Sequence, residues 1–163
     1  MNRPLILPEP PRYENSPAFF VARETGTIAL ISNSYVNITY DKTYINDNGC
    51  LDVVSGVFTC PKAGRIFCRG AINVTNNSGS TLPVFLRLVC PGLGIFGESM
   101  GMDNSFTHAP GQSITYQGSA FLDVNSGSQL ALQIGVFGGV ANHVVNAGLF
   151  AEAVNTFSGF YLA

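Results

Sequence analysis

The side chains best suited to chemistry in this chain are two histidines, four cysteines and ten carboxylates. His108 lies in "SFTHAPG" and His143 in "ANHVVN". A catalytic base needs a proton donor or nucleophile within reach. No serine stands in the Gly-x-Ser-x-Gly setting that would present one. Cys50, Cys60, Cys68 and Cys90 form neither a Cys-x-x-Cys pair nor a zinc spacing. They read as reduced thiols packed as small hydrophobes. Asp41 and Asp47 fall in "YDKTYINDNG", where Asn-Asp-Asn-Gly is first of all a turn. Arg65 and Arg69 share a strand face with Phe67 between them, which reads as a solvated face with one aromatic, not a nucleic-acid platform. Asn37, Asn73 and Asn76 open Asn-x-Ser/Thr triplets, expected to stay bare without a secretory signal. The sequence therefore assigns no catalytic residue, no metal site and no cofactor, and the expectation is a protein that is not an enzyme.

Composition explains what such a chain must do instead. Its 163 residues suffice for one domain that hides roughly 70% of its unfolded surface. Charged residues make up 11%, against about 25% in an ordinary soluble protein. Hydrophobic residues reach 46% and mean hydropathy is +0.24. A free monomer built this way has little charge to cover it, so a surface of Ser, Thr, Asn and Gly and burial against other subunits are both expected. The net charge of −2 gives no footprint for nucleic acid or an anionic membrane. No stretch approaches the ~20 apolar residues of a membrane span, and the run Leu5, Ile6, Leu7 is too short for a signal-peptide core.

Two regions differ in kind. In residues 1–16, Pro4, Pro8, Pro10 and Pro11 fix φ and remove backbone donors, so an extended proline-rich N-terminal arm is expected. Leu5, Ile6, Leu7 and Tyr13 give that arm something to dock. From residue 17 to 163 the hydrophobic period is two. "TLPVFLRLVC" sends Leu82, Val84, Leu86, Leu88 and Cys90 to one face. "SITYQGSAFLDV" does so with Ile114, Tyr116, Gly118, Ala120, Leu122 and Val124, and "QLALQIGVF" with Leu130, Leu132, Ile134 and Val136. Clusters such as "NNSGS", "APGQS" and "VNSGS" punctuate them, which predicts an all-β antiparallel sandwich or jelly roll. The opposite parities should be polar in an isolated sandwich. Phe121 breaks that rule, as do Ala131, Gly135 and Phe137 beside Gln133. In "NTFSGFYLA" aromatics fall on both parities, Phe157 and Tyr161 on one and Phe160 on the other. Three strands with two apolar faces predict a sheet covered by another subunit.

The stretch from 40 to 64 makes the reading specific. Tyr40, Asn46, Leu51, Phe58 and Gly64 stand at the spacings of the signature of the C1q/TNF-like family, which the chain resembles from about 17 to 163. "PAFFVAR" resembles that family's first strand, "GSAFLDVNSGSQLALQI" its penultimate hairpin and "NTFSGFYLA" its last strand. After Gly64 the family has aromatics where this chain has Ile66, Cys68 and Gly70, so Phe67, Phe85 or Phe96 are candidates to fill that part of the core. Gly127-Ser128 replaces the frequent Gly-Asp. The resemblance implies a jelly roll of about ten strands in a tight homotrimer. It implies that Phe157 and Tyr161 approach the three-fold axis, with Gln117 and Phe121 near them. Gln133 and Phe137 join this set of interface candidates from their own parity, and Gly135 and Gly159 would let subunits come close.

The function expected is structural. The short arm, the low charge, and the lack of a leader or collagen stalk favour a trimeric virus-particle protein. A phage capsid decoration or fibre-head protein is the leading form, made in the host cytoplasm and residing in the virion. Its arm would bind a major capsid or other virion protein, and a host surface ligand is a further partner; no nucleic acid and no membrane are expected. The alternative is an extracellular C1q-like module that recognises a receptor or glycan through loops 76–81, 91–112 and 138–147.

Overall fold

The computed structural model describes residues 18–90, 107–138, 143–146 and 155–162. The arm, with Leu5, Ile6, Leu7 and Tyr13, lies outside them, as do Phe96 and the side chain of His143. The described residues form thirteen strand segments, more than the ten or so expected because several are very short. They are β1 (Ala18–Ala22), β2 (Thr27–Ala29), β3 (Ser34–Asn37), β4 (Lys42–Asn46), β5 (Leu51–Asp52), β6 (Val57–Thr59), β7 (Gly64–Asn76), β8 (Leu82–Val89), β9 (Thr107–His108), β10 (Ser113–Val124), β11 (Gln129–Val136), β12 (His143–Asn146) and β13 (Thr156–Tyr161).

Two antiparallel sheets result. In the first, β4, β1, β13, β7 and β10 lie side by side, while β12 and β2 continue the sheet beyond the upper part of β7. In the second the order is β5, β6, β11, β8, β9. β3 runs beside β11, with Ile38 N–H donating to the Leu132 carbonyl at 2.9 Å. The first and last described strands pair, and β7 lies between the late strands β13 and β10. This is the crossing connectivity of a jelly roll.

The alternation read from the sequence is the alternation observed. Leu82, Val84, Leu86, Leu88, Cys90, Leu130, Leu132, Ile134 and Val136 are all buried between the sheets. Phe19, Phe58 and Phe157 make the aromatic centre, with Phe19 4.4 Å from Phe58 and 4.7 Å from Phe157 between ring centroids. The space beside Ile66, Cys68 and Gly70 is filled from the facing sheet. A Cβ on Gly70 would stand 2.6 Å from Leu132 Cδ2. Phe67 and Phe85 do not serve there, because their parity points them away from the core on β7 and β8.

The five signature positions each have a physical task. Tyr40, Leu51 and Phe58 are buried in one cluster. Asn46 clamps the turn after β4: its Oδ1 accepts from Leu51 N–H at 2.9 Å and its Nδ2 donates to the Leu51 carbonyl at 2.8 Å. Gly64 opens β7 under the ring of Tyr161, where a Cβ would meet Cδ1 at 3.3 Å.

Two stability predictions arise here. Gly56 has φ +70°, and a Cβ there would stand 1.9 Å from the Ile38 carbonyl oxygen. Gly56→Ala should lower the unfolding free energy by at least about 1–3 kcal/mol in urea denaturation. The Tyr40 hydroxyl is buried and has no hydrogen-bond partner among the described residues. An unmet buried hydroxyl stabilises nothing, so Tyr40→Phe should leave the urea midpoint unchanged or raise stability by up to about 1 kcal/mol.

Candidate functional site: an aromatic face on the first sheet

The outward face of the first sheet is built by strand parity. On β7 the inward residues are Ile66, Cys68, Gly70, Ile72 and Val74, so Arg65, Phe67, Arg69, Ala71 and Asn73 point out. The pairing of β7 sets Phe67 directly opposite Phe121 on β10 and, on its other side, opposite Phe160 on β13. The rings touch across both gaps: Phe67 lies 5.0 Å from Phe121 and 5.4 Å from Phe160, centroid to centroid. Three phenylalanines thus form a row across three strands, and Phe121 keeps 64% of its surface exposed and Phe160 47%.

The row has a graded setting. On one side Arg65 grips Asp123 with two parallel bonds of 2.9 and 3.0 Å. On the other come Ser119, Arg69 and Ser158, then Gln117 and Ala71. Along β1 and β4 the apolar surface continues with Phe20, on which Tyr44 stacks at 4.9 Å, and exposed Ile45. Tyr44 is held by Glu24, which accepts its hydroxyl hydrogen. Burying one such phenylalanine is worth roughly 1.5–3 kcal/mol, so a face with several of them favours association.

The six interface candidates do not lie together. Gln117 and Phe121 are on this face and exposed. Phe157 and Tyr161 are not; they are corrected to core residues. Phe157 has no exposed surface, and the Tyr161 hydroxyl donates to the Lys62 carbonyl at 2.8 Å. The physical reason is parity: β13 turns Phe157, Gly159 and Tyr161 inward and Phe160 outward. Gln133 and Phe137 lie on the outward face of the second sheet, around β11. The two glycines also act within the chain. A Cβ on Gly159 would be 2.6 Å from Phe19 Cε1, and one on Gly135 would be 2.8 Å from Tyr35 Cδ1. Sequence reasoning missed Phe160 as an outward residue, and it took Phe67 for a lone aromatic. Its neighbours Phe121 and Phe160 are 54 and 93 positions away in the chain, as the register pairs show.

Among the described residues, several with chemical potential hold the fold. His108 is buried, its Nε2 2.8 Å from the Gln112 carbonyl oxygen and its ring edge-on to Tyr116. Desolvation lowers its pKa, against the raising effect of the Gln112 bond. His143 pairs through its backbone with Asn76. Asp41 accepts from Glu24 N–H at 2.7 Å and Thr25 N–H at 2.8 Å, and Asp47 accepts from Ala18 N–H at 3.0 Å. Burial pushes the Cys60 and Cys68 thiols up, away from reactive thiolate. No group of His, Cys, Asp or Glu among the described residues is arranged to hold a metal. Asn76 is fully buried and donates to the carbonyls of Ser80 and His108 at 2.9 and 2.6 Å, so its triplet marks a structural amide.

Comparison with known proteins bears on the fold. No family model matches the chain, and no curated protein matches it in sequence. Solved structures do match, 198 chains among them. The globular domain of a zebrafish complement 1qA protein superposes with a TM-score of 0.59 at 18% identity, over 90% of this chain and 98% of that one. Murine APRIL gives 0.56 at 9% identity, over 91% and 100%. The Eiger TNF of S. frugiperda gives 0.55 at 14% identity, over 91% and 93%. The likeness runs over at least 90% of each chain in every case.

Proposed function

We propose that this chain, folded as a C1q/TNF-like jelly roll, is a non-enzymatic subunit of a homotrimer, and that the copies meet on the Phe67–Phe121–Phe160 face. The observation that carries this is the aligned row of three rings, two of them about half exposed or more. A three-fold arrangement brings one such face from each copy toward a common axis and closes the assembly. Gln117 and Phe20 flank the row and join the contact. Each subunit then hides apolar surface that its few charges leave uncovered, and stability depends on assembly.

The finer reading is a structural protein of a virus particle, in capsid decoration or at a fibre head. It rests on the 11% charged composition and on the proline-rich residues 1–16, whose Leu5, Ile6, Leu7 and Tyr13 supply apolar anchors. In this reading the trimer is cement, and the three arms grip a shell protein. Deleting residues 2–16 should leave a soluble trimer that no longer co-sediments with its particle. A truncated trimer that binds the particle in full would overturn the anchoring role.

An extracellular recognition module is the second reading, favoured by the zebrafish complement domain, APRIL and Eiger TNF among the similar structures. A glycan array probed with the intact trimer separates the two, since pure cement gives no specific signal there.

A further inference from the structure

The outward face of the second sheet carries an arrangement separate from the proposed trimer contact on the first sheet. Arg87 on β8 is half-buried, and its guanidinium carbon stands 3.4 Å over the centroid of Tyr35. Its Nε donates to Gln133 Oε1 at 2.9 Å. Gln133 Nε2 then donates to Asn37 Oδ1 at 2.8 Å, and Asn37 Nδ2 to the Ser55 carbonyl at 3.2 Å. Each amide in this relay has its orientation dictated by the next, so the guanidinium is fixed in plane and direction. Tyr35 is itself seated by Gly135, where any Cβ would displace the ring. Phe137, 5.1 Å from Tyr35, and Phe85, 5.5 Å from Phe137, extend the apolar wall.

The relay and the stack occupy Nε and one π-face. The two terminal nitrogens of Arg87 have no acceptor among the described residues. Arg65, by contrast, spends its fork on Asp123. The acid at the far end of the relay, Asp52, is engaged by Ser55 Oγ at 2.7 Å and Val54 N–H at 3.0 Å. An immobilised guanidinium beside aromatic rings, with its fork open, matches a planar monoanion. Among the described residues, this cluster's one cation is Arg87 and its relay partners are neutral amides, which suits a carboxylate better than a doubly charged phosphate. We propose that Arg87, Tyr35, Gln133 and Phe137 form a binding site for a carboxylate attached to an apolar or ring-shaped group.

The test is a titration of the full chain followed by NMR at the Arg87 Nε–H and the Tyr35 ring, at constant ionic strength. Benzoate is expected to shift both signals saturably, and neutral benzamide to leave them in place. Arg87→Lys keeps the charge but loses the fork, and should weaken benzoate at least about tenfold. Arg87→Ala should abolish saturation, while Arg69→Ala on the other sheet changes nothing. Should Arg87→Ala fail to fold, the lysine variant decides alone. Gln133→Leu leaves the charge and removes the orienting acceptor; it should weaken benzoate and broaden the Arg87 Nε–H signal. Glucuronate and N-acetylglutamate amide separate the carriers: the tighter of the two says whether sugar or peptide carboxylates are the natural class. Equal binding of benzoate and benzamide, unchanged binding by the lysine variant, or no binding of any carboxylate overturns the proposal.

Discussion

Phe160→Asp is expected to convert the proposed trimer into a folded monomer. The side chain lies on the outward parity of β13, 47% exposed, and its ring rests on Phe67. Its parity turns it away from the core, unlike Phe157 and Tyr161. In the proposed trimer the same ring is enclosed by neighbouring copies. The substitution removes its burial and sets three carboxylates close to one axis. The loss should be about 2–4 kcal/mol per contact, a weakening of roughly 30- to 1000-fold. Far-ultraviolet circular dichroism should remain that of a β-sandwich, while light scattering after size exclusion reports a single-chain mass. Phe121→Asp should act alike, since Phe121 is more exposed still and borders the same row. An Asp variant that remains fully assembled at micromolar concentration would remove this face from the interface.

Phe157→Ala, three residues earlier on the same strand, should do the opposite kind of damage. Phe157 is completely buried and lies edge-on against Phe19, with Tyr40 on a further side at 6.3 Å. Truncation leaves a cavity between the sheets that Gly159 and Gly70 cannot refill. A cost of about 3–5 kcal/mol is expected, read as a lower urea midpoint with little change in slope. Assembly should fail only to the extent that the subunit unfolds, so moderate cooling or a stabilising osmolyte should restore the oligomer. It should not restore it for Phe160→Asp. Tyr161→Asp belongs with Phe157→Ala, because it buries a charge where a ring now sits beneath Lys62.

The contrast between these neighbours shows what the sequence could and could not convey. Tyr40, Asn46, Leu51, Phe58 and Gly64 carry local meaning: each acts on a turn or core position within a few residues or on the facing sheet, and their spacing was readable. The inward parities of β8, β10 and β11 were readable because each carries an unbroken run of apolar or small residues at alternate positions. β13 has aromatics on both faces, so parity alone left inward and outward undecided. The deciding information is tertiary. Phe19 closes over Gly159, which forces that parity inward, and Phe67 meets Phe160 on the other side. A glycine lodged between two aromatics on one face is a usable sign that a third ring fills its place.

The rest was illegible because it depends on register between distant strands. Phe67 meets Phe121, and Arg87 meets Gln133, only through ladders that join separate parts of the chain. Phe137 joined Phe121 in one interface set because both broke the polar-face rule, and Gln133 joined as a neighbour of Phe137 on the same parity. The two phenylalanines sit on opposite sheets, and the rule gives no sheet assignment. On the second sheet, Gly135 and Phe137 pack against Tyr35 inside the chain.

In the proposed trimer, the aromatic face of the first sheet is closed by two further copies of this chain. Sedimentation equilibrium of the intact protein over a wide range of concentration tests it most directly. A single species of three times the 17.3-kDa chain mass, persisting on dilution, is the expected result. A stable species of one chain mass at micromolar concentration, with the phenylalanine row left in water, would contradict it.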